Sequence, residues 1–300
     1  MNLVKNKFFN QLYRLLFFPV YLISLLPHTI ADITIGKFLY FLAYSVFRYR
    51  YSVVLQNLSR SLPAKSYSEI QQIAKDYYKH LACMVVEIIK LFSVSSHTLD
   101  KKVQLVNTSL LLHYHQQNRN IIAVSGHYGN WEYLNILPAQ LPFKVNAIYK
   151  PLTSPVMNKL VHYVRGRFGM QLLPANQALR YLLKQKDEPQ LSIFLADQFP
   201  GNSEQARFDF LHQSTNMFNG AEKLAIATNA VVVYVEMKRR PDRCWEIGFS
   251  LITASPKETC NQEITKCFAD KLQQTIKADP AYWLWSHKRW KNQARNSYPE

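Results

Sequence analysis

Apolar positions change their spacing along the chain, and each change marks a different kind of structure. Phe8 to Pro27 (FFNQLYRLLFFPVYLISLLP) is an apolar run whose strongly polar members are Asn10, Gln11 and Arg14, and a second apolar stretch covers Phe38 to Phe47. Past Pro63, Ser66-Tyr67-Ser68-Glu69 has capping-box spacing, and Ile70, Ile73, Ala74, Tyr77, Leu81, Val85, Ile88, Ile89 and Phe92 follow at helical intervals. That period predicts one long amphipathic helix whose apolar stripe faces the core. After about residue 100 the rhythm turns to short β-rich runs at 103–106, 121–125, 145–149, 191–196, 231–237 and 245–252. Helical patterns fill 131–138, 154–168, 176–186, 219–229, 260–277 and 280–291. The alternation predicts an α/β fold, a central mixed sheet flanked by helices, with active residues at strand C-termini.

The apolar start reads as a membrane-associated helix, giving an anchoring segment over 1–30 and a catalytic or binding body over 31–300. Arg14 and Pro19 interrupt the run, so a bilayer span and an interfacial helix with a snorkelling charge both fit, and a plain core helix is the bland alternative. No small-residue cleavage site follows Leu26, so the segment is expected to be retained. Lys5 and Lys7 before the first run, and Arg48 and Arg50 after the second, assign the body to the cytoplasmic side.

Composition narrows the class further. With 48% hydrophobic and 19% charged residues the chain suits one large globular unit. Its 36 Lys+Arg against 20 Asp+Glu give a formal charge of +16, which calls for an anionic partner: nucleic acid, an acidic membrane leaflet, or an acidic protein or phosphorylated substrate. Cys83, Cys244, Cys260 and Cys267 show no C-x-x-C spacing and read as reduced, buried thiols in a cytosol-facing protein, which argues against zinc and against disulfides.

The chemistry concentrates after the second β-rich run. Ile121-Ile122-Ala123-Val124-Ser125 ends in Gly126-His127-Tyr128-Gly129-Asn130, and a helical pattern resumes at Trp131-Glu132. Asn130 is a good N-cap, Glu132 falls in the first helical turn, and His127 stays on a glycine-rich turn that can fold it back over the helix start. A carboxylate on one imidazole nitrogen would fix the tautomer and leave the other nitrogen to take a proton from a hydroxyl, while free amides of the helix start steady an oxyanion. A His with a Glu five residues on is common by chance, so the spacing is weaker evidence than its strand, turn and helix context. Neither a G-x-S-x-G elbow nor an H-E-x-x-H pair is present, which disfavours an acyl-enzyme and a metalloprotease.

The stretch SGHYGNWE resembles the active-site motif of the lysophospholipid acyltransferase superfamily, and in particular the lipid A biosynthesis late acyltransferases. Supporting blocks are Val53-Val54-Leu55-Gln56-Asn57-Leu58, Tyr149-Lys150-Pro151, Arg165-Gly166-Arg167-Phe168-Gly169, Ala196-Asp197-Gln198, Gly220-Ala221-Glu222-Lys223-Leu224-Ala225 and Trp285-Ser286-His287-Lys288-Arg289-Trp290. The resemblance implies acyl transfer from a thioester on acyl carrier protein or coenzyme A to a hydroxyl of a phosphorylated lipid A precursor, at the bacterial inner membrane, without cofactor or metal. It implies His127 as general base, Glu132 as its orienting partner, Asn130 as turn-former or substrate contact, and Arg165 and Asp197 near the acceptor's phosphates. Arg167 is an alternative to Arg165, with a solvated helix residue as its bland reading, and Asp197 equally suits an N-cap or turn. Lys150 stands where the family has Arg, turning a bidentate contact into a point charge. Phe210-Leu211-His212 replaces a customary F-F-G, which leaves another lysolipid or aminolipid as alternative acceptor. The aromatic and basic tail from Pro280 to Lys291 reads as packing, or as a membrane or substrate contact, in preference to a nucleic-acid surface. Anionic leaflet, phosphorylated acceptor and acidic carrier protein would together account for the positive charge. The competing classes are a non-catalytic basic membrane-binding protein and a hydrolase that uses the same base on water.

Overall fold

The computed structural model describes the backbone of residues 2–185, 188–201 and 205–290, with side chains from Leu12 onward except that of Gln205. Positions 186 and 291, which end two of the expected helices, and the side chains of Lys5 and Lys7 lie outside the described residues. Nine strands are described: β1 (Val103–Val106), β2 (Ile121–Ser125), β3 (Val145–Tyr149), β4 (Gln171–Pro174), β5 (Leu191–Leu195), β6 (Gln205–Phe210), β7 (Gln213–Phe218), β8 (Val231–Arg239) and β9 (Trp245–Thr253). Seven form one sheet in the order β1-β9-β8-β2-β5-β3-β4, and β6 and β7 make a separate antiparallel hairpin. Every neighbouring pair in the large sheet is parallel except β8 with β9. This is the expected α/β architecture.

Central β2 and β5 are buried almost throughout, as strands sandwiched between helical layers must be, and this is why they read as unbroken apolar runs. The sequence pattern located β1, β2, β3, β5, β8 and β9. It missed β4, which is four residues long and ends in proline, and the hairpin. There Leu211 and His212 both take left-handed φ, 52° and 60°, at positions where glycine or asparagine would have signalled a turn. The helix expected over 280–291 does not form: one short turn over Pro280–Tyr282 gives way to extended backbone at Trp283, because this segment bridges to Tyr128.

The long helix Tyr67–Lys90 begins at the capping box as expected, with Ser66 N donating to Glu69 Oε2 at 2.9 Å and Glu69 N to Ser66 Oγ at 3.4 Å. Its stripe is core, burying Ile70, Ala74, Tyr77, Tyr78 and Ala82. At the N-terminus one helix runs Asn2–Ser24 and a second, partly π-helical, runs His28–Val46. Among the described residues the second is the helix long and apolar enough to cross a membrane, with a mean hydropathy of 1.2; the expectation had put that role on 8–27. The first helix lies against the body: Phe17 packs edge-on to Tyr163 with ring centres 4.8 Å apart, and Lys90 Nζ donates to Ser24 O at its last residue. All four cysteines are free, but Cys260 is exposed and the others only half-buried, so the expectation that all four are buried does not hold.

Candidate active site

The site grows from the register of β2 and β5. The parallel ladder pairs Ile121 with Leu191 and, four residues on, Ser125 with Leu195. Ala196 N then donates to Ser125 O at 3.0 Å, and continuing the same register by two residues sets His127 opposite Asp197. There His127 Nδ1 lies 2.6 Å from Asp197 Oδ1, and His127 N donates to Oδ2 at 2.9 Å. Trp283 Nε1 donates to the same Oδ2 at 2.8 Å. The Asp197 side chain is 3% exposed. Burial pushes its carboxyl up, but the charge and hydrogen bonds of His127, with the indole of Trp283, outweigh that and hold it at about 2.

Two glycines make the turn fit. A β-carbon on Gly126 would meet Leu272 at 2.7 Å, and one on Gly129, where φ is +64°, would meet the Trp245 ring at 2.6 Å. The chain therefore passes where only backbone has room. Trp131 stands edge-on to the imidazole at 4.8 Å, and on the exposed side Gln198 Nε2 is 3.2 Å from His127 Nε2. With Nδ1 as donor to a carboxylate, Nε2 is the nitrogen with a free lone pair.

The carboxylate on the imidazole is thus Asp197, where the motif spacing had pointed to Glu132. Glu132 sits in the first turn of a short helix (Trp131–Ile136), and its oxygens are taken by Arg165 Nε at 2.9 Å and Nη2 at 2.5 Å, with Asn135 Nδ2 at 3.3 Å. Burial pushes Glu132 up, and the Arg165 hydrogen bonds and charge bring it down below the ordinary value. Burial likewise depresses Arg165, but Glu132 more than offsets it and raises the guanidinium. Arg165, in the last turn of Pro155–Gly166, therefore spends its fork on Glu132. Arg167 donates to Leu91 O and lies over Phe168. Lys150 is exposed at the C-terminal end of β3, at the same end of the sheet as His127.

Asn130 is fully buried and ties the turn in two directions: Oδ1 accepts from Glu132 N at 3.2 Å, and Nδ2 donates to Glu87 Oε2 at 3.0 Å. Glu87 in turn pairs with Arg239 at 3.0 Å. The amides expected to steady an oxyanion are largely committed. Those of His127, Gly129, Glu132 and Tyr133 go to Asp197, Tyr282 O, Asn130 Oδ1 and Asn130 O. Of the contacts to the dyad, Gln198 follows Asp197 in the chain and Trp283 stands in the aromatic tail, but no local spacing connects either with His127.

The family model for bacterial lipid A biosynthesis acyltransferases matches residues 10–292. The chain belongs to this family. A comparison with individual curated proteins gave no match. As a lipid A acyltransferase the protein is an enzyme with an acyl donor and a lipid acceptor, and its apolar N-terminal helix is compatible with membrane association. In this acyltransferase the tail tryptophans Trp283, Trp285 and Trp290 are all buried, which matches the packing reading for these three side chains.

Proposed function

We propose that the enzyme moves a fatty acyl chain from a thioester on acyl carrier protein, or on coenzyme A, to a hydroxyl of a phosphorylated lipid A precursor at the cytoplasmic face of the inner membrane, with His127 as general base. The observation that carries this reading is the imidazole itself: Nδ1 is pinned to a buried carboxylate and Nε2 faces outward. The acceptor hydroxyl gives its proton to Nε2 as its oxygen attacks the thioester carbonyl carbon. The tetrahedral adduct collapses, the C–S bond breaks, and the departing thiolate recovers the proton from Nε2, so no protein nucleophile is acylated. Gln198 yields its place beside Nε2 to the incoming hydroxyl, and from there its amide can donate to the carbonyl oxygen. Asp197 orients the base. Glu132 acts at one remove, holding Arg165 beside the helix that carries Trp131 against the imidazole.

For the acceptor's phosphates, exposed Lys150 is the better-suited cation, since Arg165 Nε and Nη2 are committed to Glu132. Arg167 serves chiefly to fasten its segment to Leu91. The membrane-contacting unit is best drawn as both N-terminal helices ahead of the acyltransferase body. Their outward apolar side chains, among them Leu15, Phe18, Ile33, Phe38 and Phe41, range from 53% to 70% exposed, a density that favours lipid over water.

The test is transfer of labelled acyl groups from acyl carrier protein to a lipid A precursor in vesicles. His127→Ala is expected to abolish transfer while folding and vesicle binding persist; near-normal turnover by this variant would overturn the reading.

A further inference from the structure

The carboxylate that holds the base has three donors, and the third comes from the far end of the chain. Oδ1 of Asp197 faces His127 Nδ1, while Oδ2 takes both His127 N and the indole N–H of Trp283. Trp283 arrives by an antiparallel bridge to Tyr128, flanked by Gly129 N donating to Tyr282 O at 2.9 Å and Leu284 N to His127 O at 3.1 Å. The tail is therefore the strand partner of the catalytic turn. The Trp283 ring is 3% exposed and walled by Trp285, Phe210 and Trp290 at centre distances of 4.7, 5.9 and 6.0 Å, so its N–H points one way. The neighbouring indoles have other partners: Trp285 donates to Pro280 O at 2.6 Å and Trp290 to Thr215 Oγ1 at 2.7 Å. Trp283 is the one of the three that donates to a charged group.

We propose that Trp283 is a positioning residue for the base: its N–H fixes the plane of the Asp197 carboxylate so that Oδ1 meets His127 Nδ1, and tempers the carboxylate's pull on the imidazole. This rests on the reading of His127 as general base. A carboxylate stripped of one donor concentrates its charge on the remaining ones, binds an imidazolium more tightly and so raises the proton affinity of Nε2. A base that is protonated at working pH cannot accept the hydroxyl proton.

The experiment compares Trp283→Phe, Trp285→Phe and His127→Ala in the full-length enzyme, with kcat/KM followed against pH. Trp283→Phe keeps a ring in the same box and removes the N–H. It is expected to lower kcat roughly tenfold, leave KM for both substrates within about twofold, and move the acid limb to higher pH by roughly half a unit or more. Trp285→Phe removes an equally buried indole bond from the same segment and should leave the limb in place, whatever it does to Tm. A limb unmoved by Trp283→Phe, or moved equally by Trp285→Phe, overturns the inference while the role of His127 stands. An active His127→Ala overturns the role itself. If Trp283→Phe does not fold, the unmutated enzyme labelled with indole nitrogen-15 gives five tryptophan signals. The Trp283 N–H should then shift with the same midpoint as the His127 ring, and a signal indifferent to that titration sinks the proposal.

Discussion

Asp197→Asn separates the two candidate partners of His127 most cleanly. The native carboxylate receives three donors and gives none. An asparagine has one oxygen, and two of those donors, the main-chain N–H and the Trp283 indole, converge on the Oδ2 position. The amide therefore settles with its oxygen there and its NH2 toward His127 Nδ1. That NH2 requires Nδ1 to accept, so the ring proton moves to Nε2, the nitrogen that must be empty to take a proton from the acceptor. Loss of general-base action is worth about 10²- to 10⁴-fold. Since little residual population keeps the working tautomer, kcat should fall by roughly 10³-fold, about 4 kcal/mol of transition-state free energy. Initial rates of labelled acyl transfer in vesicles measure it, with circular dichroism and Tm as folding controls. Glu132→Gln keeps the shape around Arg165 without touching the imidazole nitrogens, so its acid limb should coincide with that of the native enzyme. If Asp197→Asn turns over near the native rate while Glu132→Gln is dead and shifts the limb, the tautomer argument fails and Glu132 is the partner that matters.

Three further outcomes follow from the same geometry. Glu132→Ala strands the Arg165 guanidinium in a largely buried position and should cost about 3 kcal/mol in denaturant unfolding, most of it recovered when Arg165→Met is added. Replacing His212 by glycine frees a φ of 60° that favours glycine and should stabilise the fold by about 0.5 to 1 kcal/mol at unchanged m value. Burial and the nearby Arg239 charge push His80 down to about 3 from an ordinary 6.5. The unfolded chain therefore takes up a proton below 6.5 that the folded one refuses. Stability is complete above that pH and drains as pH falls toward 3. Between pH 7 and about 4.5 the native enzyme should lose about 2 kcal/mol that His80→Leu does not, read from denaturation midpoints at the two pH values.

The sequence made the frame legible because β2, β5 and β8 are buried between helices, and burial on both faces writes itself as continuous apolar runs. Where a strand lacks that constraint the pattern fades. β4 is a four-residue edge strand, and β6 and β7 alternate polar residues around a turn built from Leu211 and His212. The candidate membrane span falls on His28–Val46 in place of 8–27 for a related reason. Both N-terminal helices dock on the body by one face, the first through Tyr13, Phe17 and Tyr21 and the second through Tyr40, Ala43 and Tyr44, so apolarity alone does not separate them.

The carboxylate partner of His127 was hidden by a different principle. A motif reports residues close in sequence, and His127 and Glu132 are close in sequence. In a parallel sheet, however, a residue just past one strand meets the residue just past its neighbour, and that pairing spans 70 positions here. Aligning the apolar runs Ile121–Ser125 and Leu191–Leu195 end to end already puts His127 level with Asp197. What the runs do not encode is that β2 lies next to β5 instead of β3, a choice made by the crossover helices. Glu132, released from the imidazole, becomes available to neutralise Arg165 in a site that would otherwise bury an unpaired cation. In the fold, the five-residue spacing is the distance from the end of one strand to the first turn of the next helix, with the His127–Asp197 pair at one end and the Glu132–Arg165 ion pair at the other.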